Sequence, residues 1–160
     1  MPAERNDMTG PLVVGVRPDQ HGEVIQAAAA LARKLEVALV CAYVDEASYL
    51  VEWDPHRATH RLSLHPDKDD DDVRTLQDQL RSILGQALEG QGVEWSLRTL
   101  AGDPSRALGR LAADCDASMI VVGTPEHGLG HRLSEMLNGS ISAWLSHHQS
   151  CPVLVVPDPS

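Results

Sequence analysis

Aromatic residues are scarce in this 160-residue chain, which has no phenylalanine, three tryptophans and two tyrosines. Hydrophobic residues nevertheless make up 42% of the sequence, which excludes a disordered acidic polymer. The core must therefore be built mainly from leucine, valine, alanine and isoleucine. The length suits one domain with a sizeable core.

Basic residues are also few, because 13 Lys and Arg stand against 23 Asp and Glu, for a formal net charge of −10. A field of that sign disfavours docking on nucleic acid or on an anionic membrane, although a local basic pocket could still bind a small phosphate. No apolar run approaches the roughly 20 residues that span a bilayer. Residues 1–10 are polar, resemble no signal peptide, and are predicted to be a flexible tail. We expect a cytoplasmic protein with neither a nucleic-acid nor a membrane partner.

Only three cysteines are present, Cys41, Cys115 and Cys151, and none forms a Cys-x-x-Cys pair. Each lies beside apolar residues or at the end of an element. This pattern is typical of small hydrophobic residues in a reducing compartment, and metal binding or thiol catalysis is the alternative.

Short apolar runs alternate with segments of helical spacing along the chain. The predicted strands are 11–16, 37–45, 93–100, 118–124 and 151–157, and the predicted helices are 23–35, 73–90, a helix from 104, and 133–148. Alternation of this kind predicts an α/β fold with a parallel sheet and helices on both faces. Ligands bind such sheets at the carboxyl ends of the strands, here the ends of 11–16 and 118–124.

The sequences of 93–104 and 46–72 predict further local features. The alternating sequence 93–100 indicates a strand near the sheet edge, and Asp103 before Pro104 predicts a helix N-cap. Residues 46–72 show no periodicity and are predicted to be an irregular excursion, with the next helical pattern starting at Val73. The aspartates at 69–72 suit a helix N-terminus, and a divalent-metal site is the sharper alternative.

The segment 121–142, VVGTPEHGLGHRLSEMLNGSIS, is the strongest candidate for a ligand loop. It joins a strand to a helix and holds Gly123, Gly128, Gly130 and the pair Gly139-Ser140. Glycines let backbone N–H groups approach an anion, and a helix N-terminus adds positive potential. A phosphate cradle and a plain turn both fit these residues, and no Walker A sequence occurs in the chain.

The chain from 11 to 157 resembles the universal stress protein family. The resemblance is carried by PLVVGV at 11–16, by GDP at 102–104, and most specifically by IVVGT, LSEMLNGSIS and CPVLVVP between 120 and 157. It implies a single-domain, Rossmann-like fold of the adenine nucleotide alpha hydrolase type. That fold is a doubly wound, five-stranded parallel sheet of strand order 3-2-1-4-5. The resemblance also implies a homodimer formed through 152–156 and binding of ATP or AMP, with or without Mg²⁺.

The nucleotide-binding residues implied by this resemblance lie at the strand ends and in the loop. They are Gly15, Val16, Arg17, Tyr43, Val122, Gly123, Gly128, Gly130, Gly139, Ser140 and Ile141. The sequence departs from the family pattern at three points. Glu126 replaces the second loop glycine, 15 residues rather than 12 separate Gly123 from Gly139, and Arg17 stands where relatives that bind ATP carry an aspartate.

Two functions follow as expectations. The first is a cytoplasmic stress-response regulator that binds ATP or AMP at the ends of 11–16 and 118–124. The second is a member that has lost nucleotide binding and acts as a dimeric interaction module. No nucleophile and base occur at an informative spacing, so whether the protein is an enzyme stays open, with slow ATP hydrolysis as the most that we expect.

Overall fold

A computed structural model describes residues 8–18, 22–45, 48–51, 60–63, 70–124 and 141–157, with backbone only at 48–51, 60–63 and 70. Seven strands and four helices occur in these ranges. In chain order they are β1 Leu12–Gly15, α1 Glu23–Leu35, β2 Leu39–Asp45, β3 Ser48–Val51, β4 His60–Ser63, α2 Asp70–Leu88, β5 Trp95–Ala101, α3 Pro104–Asp114, β6 Met119–Gly123, α4 Ile141–His148 and β7 Val153–Val156.

Five parallel strands form the central sheet in the order β5-β2-β1-β6-β7. Counted along the chain, these strands have the order 3-2-1-4-5, which confirms the predicted α/β fold and topology. β1 lies at the centre, pairing Val13 with Val40 of β2 on one side and with Ile120 of β6 on the other. β5 lies at one edge, as its alternating sequence predicted.

The two faces of the sheet are covered by different helices. α1 and α2 pack on one face, in a cluster that includes Val14, Val24, Ala28, Cys41 and Leu84. α3 and α4 pack on the other, in a cluster that includes Val13, Ala42, Leu108, Ile120 and Leu145. β1, β2 and β6 contribute to both clusters because successive side chains of a strand point to opposite faces. Their continuous apolar sequences therefore reflect burial on both sides.

The ends of α1 and α3 follow local sequence chemistry. Asp103 caps α3 as predicted, its carboxylate accepting a hydrogen bond of 2.9 Å from the Arg106 backbone N–H, with Pro104 in the first turn. Glu36 is the C-cap of α1 and adopts the left-handed conformation with φ 56°. That position usually holds glycine, since a Cβ there is strained.

The segment 46–72 contains more regular structure than its sequence indicated. β3 and β4 pair antiparallel within it, with Tyr49 opposite Leu62. α2 begins at Asp70 rather than at Val73. Asp70, Asp71 and Asp72 therefore form part of the first turn of α2, where the positive end of the helix dipole favours carboxylates.

The segment just before β1 is fixed to the core, although the sequence predicted residues 1–10 as a flexible tail. The Gly10 carbonyl oxygen accepts a hydrogen bond of 2.8 Å from the Ser118 hydroxyl, and the Pro11 carbonyl oxygen accepts one of 2.9 Å from the Ser118 backbone N–H. Ser118 is buried, so these bonds satisfy its polar groups. Residues 1–7 lie outside the described part of the chain. No helix in the described part is long and apolar enough to cross a membrane.

Candidate functional site

The sheet has one topological switch point, between β1 and β6. From β1 the chain passes into α1 on one face, and from β6 it reaches α4 on the opposite face. The helices that follow these two neighbouring strands therefore lie on opposite faces of the sheet, which is what defines the switch point at their carboxyl ends. Open α/β sheets bind ligands in the crevice that forms at such a point.

The structure brings four predicted site residues together at this crevice. The register pairs Val14 of β1 with Val121 of β6, so Gly15 and Val16 lie beside Val122 and Gly123. The flanking strands hold the ends of β1 and β6 in place. The Val16 N–H donates to the Ala42 carbonyl of β2, and the Thr124 N–H donates to the Val156 carbonyl of β7, at 2.9 and 3.0 Å.

Side chains at the floor of the crevice are small or turned into the core. Val16 and Val122 are buried, in the clusters on opposite faces of the sheet. A Cβ on Gly15 would lie 3.4 Å from Leu108 Cδ1 and 3.8 Å from Val122 Cγ1, so the glycine lets α3 pack closely on β1. The floor therefore presents mainly backbone groups, and the exposed Arg17 adds a permanent positive charge just beyond it.

Tyr43 lies near the end of β2, next to β1, but packs with the cluster beneath α1 and α2. It lines a cavity of about 30 Å³ between α2 and the sheet, together with Asp45, Asp72, Val73, Leu76, Gln77 and Thr99. A cavity of this size holds a water molecule or two and is far too small for a nucleotide base. Tyr43 is thus beside the crevice in register, while its side chain contributes to the α2 side of the core.

Ile141 is the first residue of α4 and packs against the cluster under α3. α4 is anchored by Leu145, which is fully buried, and by Gln149 just beyond its end. The Gln149 amide bridges the helix to β7, donating to the Leu145 carbonyl at 2.9 Å and accepting from the Cys151 N–H at 2.7 Å. The predicted loop residues Gly128, Gly130, Gly139 and Ser140 lie outside the described residues, as does Glu126.

Two polar residues at this edge of the sheet were not singled out from the sequence. Asp45 ends β2 and is 7% exposed, and Thr124 directly follows β6. A polar residue that ends an apolar strand is the signal that points to both. Within the described ranges, no group of three or more His, Cys, Asp or Glu side chains could hold a metal ion, and these ranges include Asp71 and Asp72 of the acidic run.

Known proteins resemble the chain in both sequence and structure. The model of the universal stress protein family matches residues 8–157. Universal stress protein Sll1388 from a Synechocystis species is 37% identical over 78 residues, which are 48% of this chain and 47% of that protein. The match thus spans about half the length of this relative.

Solved structures align over nearly the whole chain. A universal stress protein in complex with cAMP has a TM-score of 0.63 at 20% identity, covering 95% of this chain and 99% of the other. The Archaeoglobus fulgidus universal stress protein in complex with dAMP has a TM-score of 0.62 at 19% identity, covering 92% and 98%. At such identities these similarities establish the fold.

Proposed function

The chain belongs to the universal stress protein family, and we propose that it binds an adenine nucleotide, ATP or AMP, in the crevice between β1 and β6. The observation that carries this proposal is the position of Gly15-Val16 beside Val122-Gly123 at the switch point. The two solved relatives described above are complexes with cAMP and dAMP, both adenine nucleotides. In this family setting we expect a cytoplasmic regulator that responds to nucleotide concentration.

The chemistry of the site is that of a backbone cradle. The sequence that leaves β6 and enters α4 carries Gly128, Gly130, Gly139 and Ser140. Glycines allow their N–H groups to approach phosphate oxygens closely, and the Ser140 hydroxyl supplies one more donor at the start of α4. Gly15 and Val16 would face the nucleoside, with the backbone of Tyr43 on the neighbouring strand beside them, Ile141 would face the ribose and phosphates, and Mg²⁺ would accompany ATP.

Arg17 supplies a positive charge to the proposed site. The chain as a whole has a net charge of −10, which opposes the approach of a nucleotide anion. A guanidinium beyond β1 offsets this repulsion locally and can hold a phosphate in a bidentate contact. We therefore expect Arg17→Ala to weaken ATP binding by about 10-fold or more while changing adenosine binding little, given the worth of one charge-assisted hydrogen bond.

Isothermal titration calorimetry with ATP, AMP and adenosine, with and without Mg²⁺, tests the proposal. Gly139→Val should abolish binding, because its side chain would occupy the space of a phosphate, while the circular dichroism spectrum stays unchanged. Gly85→Val is the matched control, since a Cβ at Gly85 in α2 meets only Trp95 Cζ2 at 3.9 Å. Absence of heat and of any thermal shift at millimolar ATP would contradict nucleotide binding.

The second candidate is a dimeric interaction module without a nucleotide. Arg17, Glu126 and the lengthened loop favour it, and so does the edge strand β7, which has one neighbour, β6, in the described sheet. Leu154 and Val155 of β7 are 36% and 41% exposed, and an apolar edge strand is a template for a second copy of the chain. We propose a homodimer formed through 152–156 in either case.

Light scattering coupled to size-exclusion chromatography tests the dimer. Val155→Lys places a charge on the exposed edge and should give a monomer, whereas Arg81→Lys on α2 should leave the assembly unchanged. A monomeric parent protein at micromolar concentration would refute the dimer. Nucleotide that is retained through purification would refute the module without a nucleotide.

A further inference from the structure

Two of the three cysteines lie against one turn of the chain, the turn between α3 and β6. All three thiols are free in the structure. Cys115 forms the C-cap of α3, and its thiol donates to the Ala112 carbonyl at 3.9 Å. Cys151 comes before β7, and its thiol donates to the Ala117 carbonyl at 3.3 Å. The Ala117 N–H in turn donates to the Ala112 carbonyl at 2.8 Å, so both sulfurs lie against the same hydrogen-bonded turn.

The sheet register explains why residues so distant in sequence meet. Ile120 of β6 pairs with Val153 of β7, and the Ile120 N–H donates to the Pro152 carbonyl at 2.9 Å. Two residues earlier, Cys151 falls opposite Ser118, just beyond the turn that begins at Cys115. Both cysteines pack against the core cluster under α3 and α4. The pKa of Cys151 is raised by burial and further by the neighbouring Cys115 thiol, which is consistent with this proximity.

We propose that Cys115 and Cys151 form a reversible intramolecular disulfide when the protein meets hydrogen peroxide. One thiolate attacks a peroxide oxygen and becomes a sulfenic acid, releasing hydroxide that is protonated to water. The second thiolate then attacks the sulfenyl sulfur, forms the S–S bond and displaces a second hydroxide, which leaves as water. The two thiols lose two electrons and two protons in total, and peroxide is reduced to two molecules of water.

Access separates this pair from Cys41. Cys115 and Cys151 are partly exposed residues, and each sulfur gives up one thiol hydrogen bond when the disulfide forms. Cys41 is fully buried in the sheet, and burial raises the pKa of its thiol to about 12. Burial raises the pKa of the Cys115 and Cys151 thiols as well, so the partial exposure of the pair is what separates it from Cys41, which serves as an internal control.

The bond would connect the end of α3 to the start of β7. The covalent ring closed in this way contains β6, the glycine-rich segment and α4. Oxidation would thereby constrain both ends of the candidate nucleotide loop and the base of the edge strand. This inference does not depend on nucleotide binding, because the thiol chemistry requires only the turn between α3 and β6 and the residues just before β7.

The test begins with the fully reduced full-length protein, which is exposed to hydrogen peroxide and then unfolded in the presence of an alkylating agent. Thiol titration should fall from three to one, and the intact monomer should lose two hydrogens in mass. Peptide mapping without reductant should join the peptides of Cys115 and Cys151, and dithiothreitol should restore three thiols.

Variants locate the bond. Cys41→Ser should still lose both remaining thiols, whereas Cys115→Ser and Cys151→Ser should each lose the intramolecular product. Circular dichroism verifies that each variant is folded. If one variant does not fold, peptide mapping of the parent protein still identifies which two cysteines are joined. A disulfide that includes Cys41, disulfides only between copies, or oxygen addition without an S–S bond would each overturn the proposal.

Discussion

Replacing Gly10 by alanine tests whether the segment before β1 is as tightly fixed as the structure indicates. A Cβ built on Gly10 would overlap the Asp116 carbonyl oxygen, and it would lie 3.0 Å from the Asp116 carbonyl carbon and 3.3 Å from the Ser118 nitrogen. These neighbours are backbone atoms, which cannot swing aside as a side chain does. The segment must therefore move away from the turn between α3 and β6.

The cost follows from the contacts that this movement breaks. The bond from the Ser118 hydroxyl to Gly10 and that from the Ser118 N–H to Pro11 are each worth about 1 kcal/mol net. Ser118 is 1% exposed, so a hydroxyl left without its partner costs roughly a further 1 kcal/mol. We expect a loss of about 3 kcal/mol, which lowers the melting temperature of a chain of this size by roughly 6–12 °C.

Thermal and urea unfolding followed by circular dichroism measure this loss. Gly22→Ala is the matched control, because a Cβ at Gly22 meets nothing within 4 Å, and we expect it to change stability by less than about 0.5 kcal/mol. Ser118→Ala should give part of the effect, and the double variant should lose less than the sum, since both changes break the same contact. If Gly10→Ala has the same melting temperature as Gly22→Ala, the reasoning is refuted.

Three further predictions concern other positions. Glu36→Gly should stabilise the protein by about 1 kcal/mol in urea unfolding, because φ is 56° there, whereas Ala30→Gly in the interior of α1 should destabilise it by about as much. Burial raises the pKa of the Cys41 thiol to about 12. The buried neutral thiol therefore contributes fully to the free energy of unfolding below about pH 8.5, where the thiol of the unfolded chain titrates. This contribution is lost as the pH rises towards 12. Between about pH 9 and 11 the free energy of unfolding of the parent protein should fall by about 1.4 kcal/mol per pH unit more than that of Cys41→Ala. Equal slopes of the unfolding free energy against pH in the two proteins would contradict this. Leu145→Ala should cost about 3 kcal/mol in chemical unfolding because the side chain is 0% exposed, whereas Ile83→Ala, at 45% exposed, should cost less than about 1 kcal/mol.

Local sequence patterns determined the elements of this fold. Apolar runs predicted the strands that became β1, β2, β6 and β7, because a strand buried on both faces needs no polar alternation. Helical spacing predicted α1 over 23–35, and Asp103 with Pro104 marked the start of α3, because caps depend on neighbouring residues only. The order of strands and helices then restricted the topology, and the resemblance of 11–157 to a known family supplied the strand order.

Tertiary structure decided what depends on partners that are distant in sequence. The contact between Gly10 and Ser118 joins residues 108 positions apart, and no local pattern distinguishes a fixed glycine from one in a tail. The side of the sheet to which Tyr43 turns depends on the packing of α2, and the meeting of Cys115 with Cys151 depends on the register of β6 and β7. The sequence by itself determined which segments become strands and helices, because periodicity is local. The crevice between β1 and β6 exists only through the crossovers that bring those strands together.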